Sequence, residues 1–410
     1  MKSQKILNDP VYGFITIPSE LIFAIIDHPY FQRLRRIRQL GLTDFVYPGA
    51  LHTRFHHALG AMHLMSITLD NLRIKGTEIS ETEYEAALIA ILLHDIGHGP
   101  FSHALEYSLL RGIPHEELSL LTIELLNEEF GGQLTLALSI FKNQYPRKFF
   151  HQLVSSQLDI DRLDYLQRDC FFTGVSEGTI GADRIIKMMA VKDDQLVIEE
   201  KGIYSIENFL SARRLMYWQV YLHKTTVSAE KMLINLIQRA KKLAQDGRTF
   251  FVTEEMAYFM RQEVSLADFK ADSNLLKKFL QLDDFDIWGA IKLWKNDPDY
   301  VLQNISQMFL TRKLFKINLV NESFSSQEIE NLRAKALKKL GVPEEDLGYF
   351  FSTGTISNYG YVEKDRISIL TKKGEVVDVA SAADLPNIKI MSKMVEKHYV
   401  CVAKSLILPN

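Results

Sequence analysis

The chain has 410 residues, 47% apolar and 24% charged, which excludes a disordered polymer, a collagen-like fibre or a disulfide-stapled mini-protein and suits two domains, or one large domain with an appendage. Forty-eight basic against 51 acidic side chains give a formal charge of −3, so there is no global positive field for holding nucleic acid. The longest clean apolar run, Ala86 to Leu93, is far short of the ~20 residues of a membrane span; Met1 opens no signal-peptide pattern, and Cys170 and Cys401 are too few for a disulfide framework, so a reducing cytoplasm is the simplest home.

Apolar residues at three- and four-residue spacing predict helices through Leu21–Ile26, Leu34–Leu40 and Leu59–Leu72. Thr82 to Ile96 reads as a strong helix, with Glu83 and Glu85 in its first turn and Gly97 at its end. A second begins after Pro100 and runs through His103, Glu106 and Leu110. Ser119–Phe130, Ile160–Cys170, Ile206–Ala240 and shorter pieces between Glu254 and Leu310 complete the helical part. A hairpin is expected at Val191 and Leu196–Ile198, turning at Asp193-Asp194. From Lys313 the texture changes to short β-branched or aromatic runs at Leu314–Val320, Tyr349–Ile356, Ile367–Leu370, Val376–Val379 and Tyr399–Ala403. Lys373-Gly374 turns between two of them, and Ser325–Leu340 supplies one helix. The expected class is mainly α: a helical domain over 1–312 and a smaller α+β C-terminal region over 313–410.

Nine of the twelve histidines lie between His28 and His115. Imidazole binds metals and titrates near neutrality, so this clustering points to chemistry. His94-Asp95 ends an apolar helix, where two polar side chains are costly to bury without a partner. Imidazole plus carboxylate suits a divalent transition metal. His98 follows four residues later and shares that face if the helix continues; Gly97 and Gly99 allow a tight turn. Further candidates lie in Arg54-Phe55-His56-His57 and in Asp159 to Tyr165. On a helix, Asp161, Arg162, Tyr165, Arg168 and Asp169 fall within roughly a third of the circumference. That face offers a carboxylate for metal, two guanidiniums for phosphate and an aromatic hydroxyl. Alone it reads better as a solvated charged surface; the coincidence of three such segments in one helical region favours a site.

The order His57, His94-Asp95, Asp161 resembles the H…HD…D signature of the HD-domain metal-dependent phosphohydrolases. Phe31-Gln32-Arg33-Leu34 to Gly41, Val46-Tyr47-Pro48-Gly49-Ala50, His52-Thr53-Arg54-Phe55, His94 to His103 and Asp161 to Cys170 look like one branch, the deoxynucleoside triphosphate triphosphohydrolases related to the SAM-and-HD-domain enzyme. The likeness spans at least residues 9 to 224 and places an HD-type helical core at about 31–170. It implies His57, His94, Asp95 and Asp161 as ligands of one divalent ion: iron, manganese, nickel, zinc or magnesium. It implies His103 as the catalytic histidine, Glu106 as a carboxylate able to orient it, and His115 as a second histidine near the phosphates. Arg54, His98, Arg162 and Tyr165 match triphosphate contacts, Gln39 and Asp169 contacts to the sugar 3′-hydroxyl, and Arg213 and Tyr221 further substrate-side positions. Asp27, Gln32 and Arg35 match a regulatory guanine-nucleotide site, so an activator nucleotide and a homo-oligomer belong to the expectation, with no membrane or nucleic-acid partner. Arg162 stands where some relatives have lysine, His56 where glutamate is common, and Tyr12 where histidine is frequent.

The expected reaction is hydrolysis of a deoxynucleoside triphosphate to nucleoside and inorganic triphosphate. The rivals are an HD phosphohydrolase acting on a monophosphate, cyclic nucleotide or alarmone, and a nucleotide sensor without turnover. His28, His52, His63, His151, His223 and His398 read as ordinary surface or core histidines. His56 is a rival ligand by type, but adjacent helical residues point about 100° apart.

Overall fold

The computed structural model describes residues 5–106, 108–110, 112–358, 366–383 and 394–407, without the side chains of Ser102 and His103. A two-stranded hairpin of β1 (Lys5–Asp9) and β2 (Gly13–Ile17) precedes α1 (Glu20–Asp27) and the short α2 (Pro29–Gln32). Seven helices follow: α3 (Arg54–Ile74), α4 (Glu81–Leu93), α5 (Ser102–Glu106), α6 (His115–Glu129), α7 (Thr135–Phe141), α8 (Lys148–Val154) and α9 (Ile160–Thr173). Next come α10 (Ala182–Met188), the hairpin β3 (Met189–Lys192) and β4 (Gln195–Glu199), α11 (Ile203–Met216) and the long α12 (Lys224–Gln245). Five shorter helices, α13 (Glu254–Arg261), α14 (Leu266–Ala271), α15 (Ser273–Phe279), α16 (Asp284–Trp294) and α17 (Tyr300–Leu310), lead into the α+β tail. The tail holds β5 (Lys316–Val320), α18 (Ser326–Leu340), β6 (Phe351–Asn358), β7 (Ser368–Leu370), β8 (Val376–Asp378), α19 (Val379–Ala382) and β9 (Val395–Val402). The class is mainly α, as expected. Among the described residues, no helix is long and apolar enough to cross a membrane.

Buried apolar side chains form two clusters. One unites α1, α3, α4 and α7–α11, with Leu64, Leu92, Phe150 and Phe209 among residues that water does not reach. The other surrounds α12, with Met232, Ile237, Phe259 and Phe309, and takes in Tyr399 and Val400 of β9. The tail divides between them. β5, β9 and β6 form an antiparallel sheet on the second cluster. β7 instead pairs in parallel with β4, Ile198 opposite Ile369, and buries Ile369 in the first.

Several expected boundaries move. Leu34–Leu40 is not a helix: one 3₁₀ turn over Arg33–Arg36 gives way to extended chain, because Gln39 N donates to His52 O and Arg54 N to Ile37 O. The helix expected to Ile96 stops at Leu93. The stretch expected to be helical from Ile206 to Ala240 is broken by a π turn over Tyr217–Tyr221 and restarts after His223, whose imidazole accepts from Thr225 N. The hairpin turn at Asp193-Asp194 and the turn at Gly374 stand as expected, each in the left-handed region.

Candidate metal centre and substrate pocket

Helix ends aim three segments at one point. Thr53 caps α3, and His56 closes the cap by accepting from Thr53 N at 3.2 Å. His56 is thereby spent on the backbone, which leaves His57 on the buried side. α4 ends with His94, whose Nδ1 lies 2.6 Å from Ile91 O. Asp159 caps α9 by accepting from Arg162 N, which sets Asp161 in the first turn.

His57 Nε2 and His94 Nε2 lie 3.4 Å apart, and Asp161 Oδ1 is 3.1 Å and 3.3 Å from them. Asp95 Oδ1 is 3.4 Å from His94 Nε2. The hydrogen bonds fix the tautomers. A carbonyl cannot donate to His94 Nδ1, and the Asp164 carboxylate, 2.7 Å from His57 Nδ1, cannot donate either. Both Nδ1 atoms carry the proton, and both Nε2 lone pairs face each other. Such an arrangement is repulsive without a cation between them. Ligand bonds of about 2.0–2.2 Å place neighbouring donor atoms about 3 Å apart, which this set matches. Burial opposes positive charge at His57, yet the Asp161 and Asp164 carboxylates favour it there. Burial also opposes ionising Asp161, but the two imidazoles beside it hold it below the usual carboxylate range. The cluster is built around a positive charge, and its residues fit a divalent ion.

Behind the ligands runs a buried chain of charge. Arg168 donates through Nη2 to Asp164 Oδ1 at 3.0 Å and through Nη1 to Asp9 Oδ2 at 2.7 Å. Arg168 therefore serves the hairpin and Asp164; it is not the second phosphate-facing guanidinium of the predicted helix face.

A cavity of about 430 Å³ opens in front of the cluster. Arg54, Asp95, His98, His115, Asp161 and Arg162 line its metal end. Gln39, Tyr165, Asp169 and Tyr221 line it as well. Arg54 Nη1 donates to Asp95 Oδ2 at 2.5 Å, and Arg162 is anchored by Asp159. Gln39 Oε1 is buried with no hydrogen-bond partner among the described residues. Both Asp169 oxygens are engaged, one with His52 Nε2 and one with Tyr221 Oη, each at 2.7 Å.

Other expectations change. α4 does not continue to His98; a turn brings His98 Nε2 within 3.2 Å of Asp95 Oδ1 instead. Burial and the adjacent Arg54 depress the His98 pKa well below its usual value, with Asp95 opposing. Its ring stacks on His115 at 3.7 Å. Gly97 lies in that turn, and α6 packs so close to it that a Cβ would meet Ser119 N at 2.1 Å. Glu106 pairs with His115 Nδ1 at 2.8 Å; the His103 side chain lies outside those described. Arg213 is not among the residues lining the pocket; it is buried and donates to Gln157 O at 3.3 Å. Asp27, Gln32 and Arg35 lie outside the pocket. Gln32 donates to Ile26 O and accepts from Arg35, whose guanidinium covers Phe55.

Reading the sequence missed His52, Asp164 and Asp9. Asp164 carried a usable signal, three residues after Asp161 on the same helix. His52 and Asp9 carried none, since their partners are more than a hundred residues away.

Comparison with known proteins agrees with this geometry. Residues 54–169 match the HD domain family and residues 180–263 the HD associated region. The uncharacterized protein YwfO of Bacillus subtilis is 32% identical, over 99% of this chain and 94% of its own length. The deoxynucleoside triphosphate triphosphohydrolase SAMHD1 of Homo sapiens is 28% identical, over 89% of this chain and 64% of its own. A crystal structure of a phosphohydrolase from Bacteroides thetaiotaomicron superposes with a TM-score of 0.94 at 51% identity, over 98% of this chain and all of that one. With the ligand set converging and both family regions matched, the chain belongs to the HD-domain phosphohydrolases.

Proposed function

We propose that the enzyme hydrolyses deoxynucleoside triphosphates to nucleoside and inorganic triphosphate. The observation that carries this reading is the juxtaposition of the His57–His94–Asp161 cluster with a pocket whose near wall is Arg54, His98 and Arg162. His57, His94, Asp95 and Asp161 would hold the ion, and two imidazoles with two carboxylates suit iron, manganese, nickel or zinc. Bound there, a divalent ion supplies charge neutralisation and an acidified water. Arg54 and Arg162 present planar guanidiniums to the phosphate oxygens, and His98, held at Asp95, lines the pocket beside them. Gln39 Oε1, buried and unsatisfied, accepts the sugar 3′-hydroxyl, with Asp169 beside it held by His52 and Tyr221. The nucleoside 5′-oxygen is a poor leaving group and needs a proton, worth ~10²–10⁴ in rate from a positioned acid. We assign that proton to His103 on α5, the helix whose Ala104 lines the pocket.

The test is a panel of nucleotides with product identification. Inorganic triphosphate released from deoxynucleoside triphosphates supports the reading; orthophosphate or pyrophosphate alone assigns the site to another phosphohydrolase reaction. Asp161→Ala is expected to lose metal and turnover while keeping the helical circular dichroism. Retained turnover removes Asp161 from the centre.

A further inference from the structure

The far wall of the same pocket carries polar groups that neither the metal cluster nor the phosphate contacts use. Thr226 and Glu230 stand one turn apart on α12, and both line the cavity. This helix packs on α5 and on the turn Thr43–Phe45, whereas the metal ligands come from α3, the end of α4 and α9. Thr226 is only 1% exposed, and its hydroxyl has no hydrogen-bond partner among the described residues. Buried helical threonines elsewhere in the chain donate back to the carbonyl four residues earlier, as Thr68 does to Leu64 and Thr122 to Leu118. Thr226 sits in the first turn of α12, where position i−4 is Leu222, outside the helix. A buried polar atom without a partner costs free energy that a ligand can return. Burial also pushes the Glu230 carboxyl up to about 7, with only Lys231 opposing.

Around these two groups Leu42, Phe101 and Ala104 add apolar surface. An apolar surface edged by polar groups suits a nucleobase, and Gln39 and Asp169, the sugar contacts of the reading above, line the same cavity. We propose that Thr226 and Glu230 read the nucleobase edge of the substrate, and that the Glu230 carboxylate selects guanine. This rests on the nucleoside triphosphate reading above. The chemistry is a count of donors. Two carboxylate oxygens match two adjacent N–H donors, and the guanine N1–H and N2–H pair supplies them. Adenine and cytosine present a donor beside an acceptor, and thymine a donor between two acceptors. The Thr226 hydroxyl can donate to guanine O6.

The experiment uses the metal-loaded full chain, as wild type, Glu230→Gln and Thr226→Val. Equilibrium binding is measured for the hydrolysis-resistant α,β-imido analogues of the four deoxynucleoside triphosphates, and triphosphate release for the natural four in competition. The wild type is expected to bind the guanine analogue about tenfold tighter than the others, the lower end of what a bidentate base contact is worth. Glu230→Gln, whose amide offers a donor beside an acceptor, is expected to lose that preference and keep its fold by circular dichroism. Thr226→Val is expected to weaken guanine binding by a smaller factor. A wild type without guanine preference, or a Glu230→Gln profile unchanged from wild type, overturns the proposal. Triphosphate release with such a flat profile keeps the hydrolase reading and removes the base reader. A Glu230-dependent guanine preference without triphosphate release from any nucleotide does the reverse.

Discussion

His57 turns one nitrogen to the His94–Asp161 cluster and one to Asp164, whose Oδ2 accepts from both His57 Nδ1 and Arg168 Nε and whose Oδ1 accepts from Arg168 Nη2. No relative exposure is left in either His57 or Asp164. A carboxylate behind a metal-bound imidazole fixes its tautomer and raises its basicity, and removing such a partner typically costs 10–100-fold in metal affinity. Asp164→Asn is therefore expected to bind metal about tenfold or more weakly, read by competition with a chelator of known affinity. Asparagine retains an acceptor for His57 but not the charge that pairs Arg168, so some loss of thermal stability accompanies it. Unchanged metal affinity would show that the imidazole is oriented by the packing of α3 and α9 alone. At this scale the sequence named the metal-facing residues because their motif is local: a histidine and aspartate side by side, and an aspartate in the first turn of a helix. It did not name Asp9 or His52, because a partner more than a hundred residues away leaves no trace in local spacing.

Helix ends decide where these side chains point, and ends are where periodicity is weakest. α4 shows the problem. Its apolar spacing resumes at Ile96, but the His94 imidazole donates to Ile91 O and Ile96 N to Leu93 O, which closes the helix at Leu93. The start was also misplaced by a residue, since Ser80 is the cap and Glu83 the reciprocal partner. The break between α11 and α12 has no glycine or proline to announce it. Tyr47 donates to Gln219 O at 2.7 Å, and the resulting π turn sends Tyr217 and Tyr221 to the pocket. Glu83 allows a test at this scale. Burial alone would raise its pKa, but Arg147, Tyr145 and the Ser80 cap hold it at about 2, below the ordinary 4.5. A depressed carboxylate stabilises the fold above its unfolded pKa and ceases to do so as pH falls through the folded one. Glu83→Gln is expected to lower stability by about 1–2 kcal/mol near pH 7. That gap should close between about pH 4.5 and 2. Thermal melts of both proteins across this range check it; a gap independent of pH would assign the loss to packing.

The two apolar clusters meet at one buried cation. Arg33 is 1% exposed and donates to Leu282 O at 2.7 Å, His98 O at 2.8 Å and Ile96 O at 3.4 Å. Leu282 belongs to the cluster around α12 and Ile96 to the cluster around α3 and α4. Burial pulls the guanidinium pKa down to about 10, with Asp283 and Asp284 opposing, so it stays charged at neutrality. A second tie lies beside it: Asp284, at the start of α16, accepts from Arg38 N at 2.9 Å and Phe101 N at 3.1 Å. Phe101 takes a positive φ of 45° there, and it lines the pocket. Arginines at 33, 35, 36 and 38 read by type as a solvated helix face; only the fold reveals that one of the four is a strut between two cores. Both halves contribute to the pocket, so its shape depends on this junction. Arg33→Met removes the buried charge, whose desolvation was a cost, but leaves three buried carbonyls short of a donor at about 1–3 kcal/mol each. The net expectation is a loss of about 3 kcal/mol, with the halves no longer melting together. Calorimetry should show two transitions in Arg33→Met where the wild type shows one, and added metal should raise the transition of the half that holds His57, His94 and Asp161. Because His98 O is one of the three carbonyls, nucleotide binding should weaken in the same variant before either half unfolds. One transition at the wild-type temperature would show that Arg33 fills space without joining the two cores.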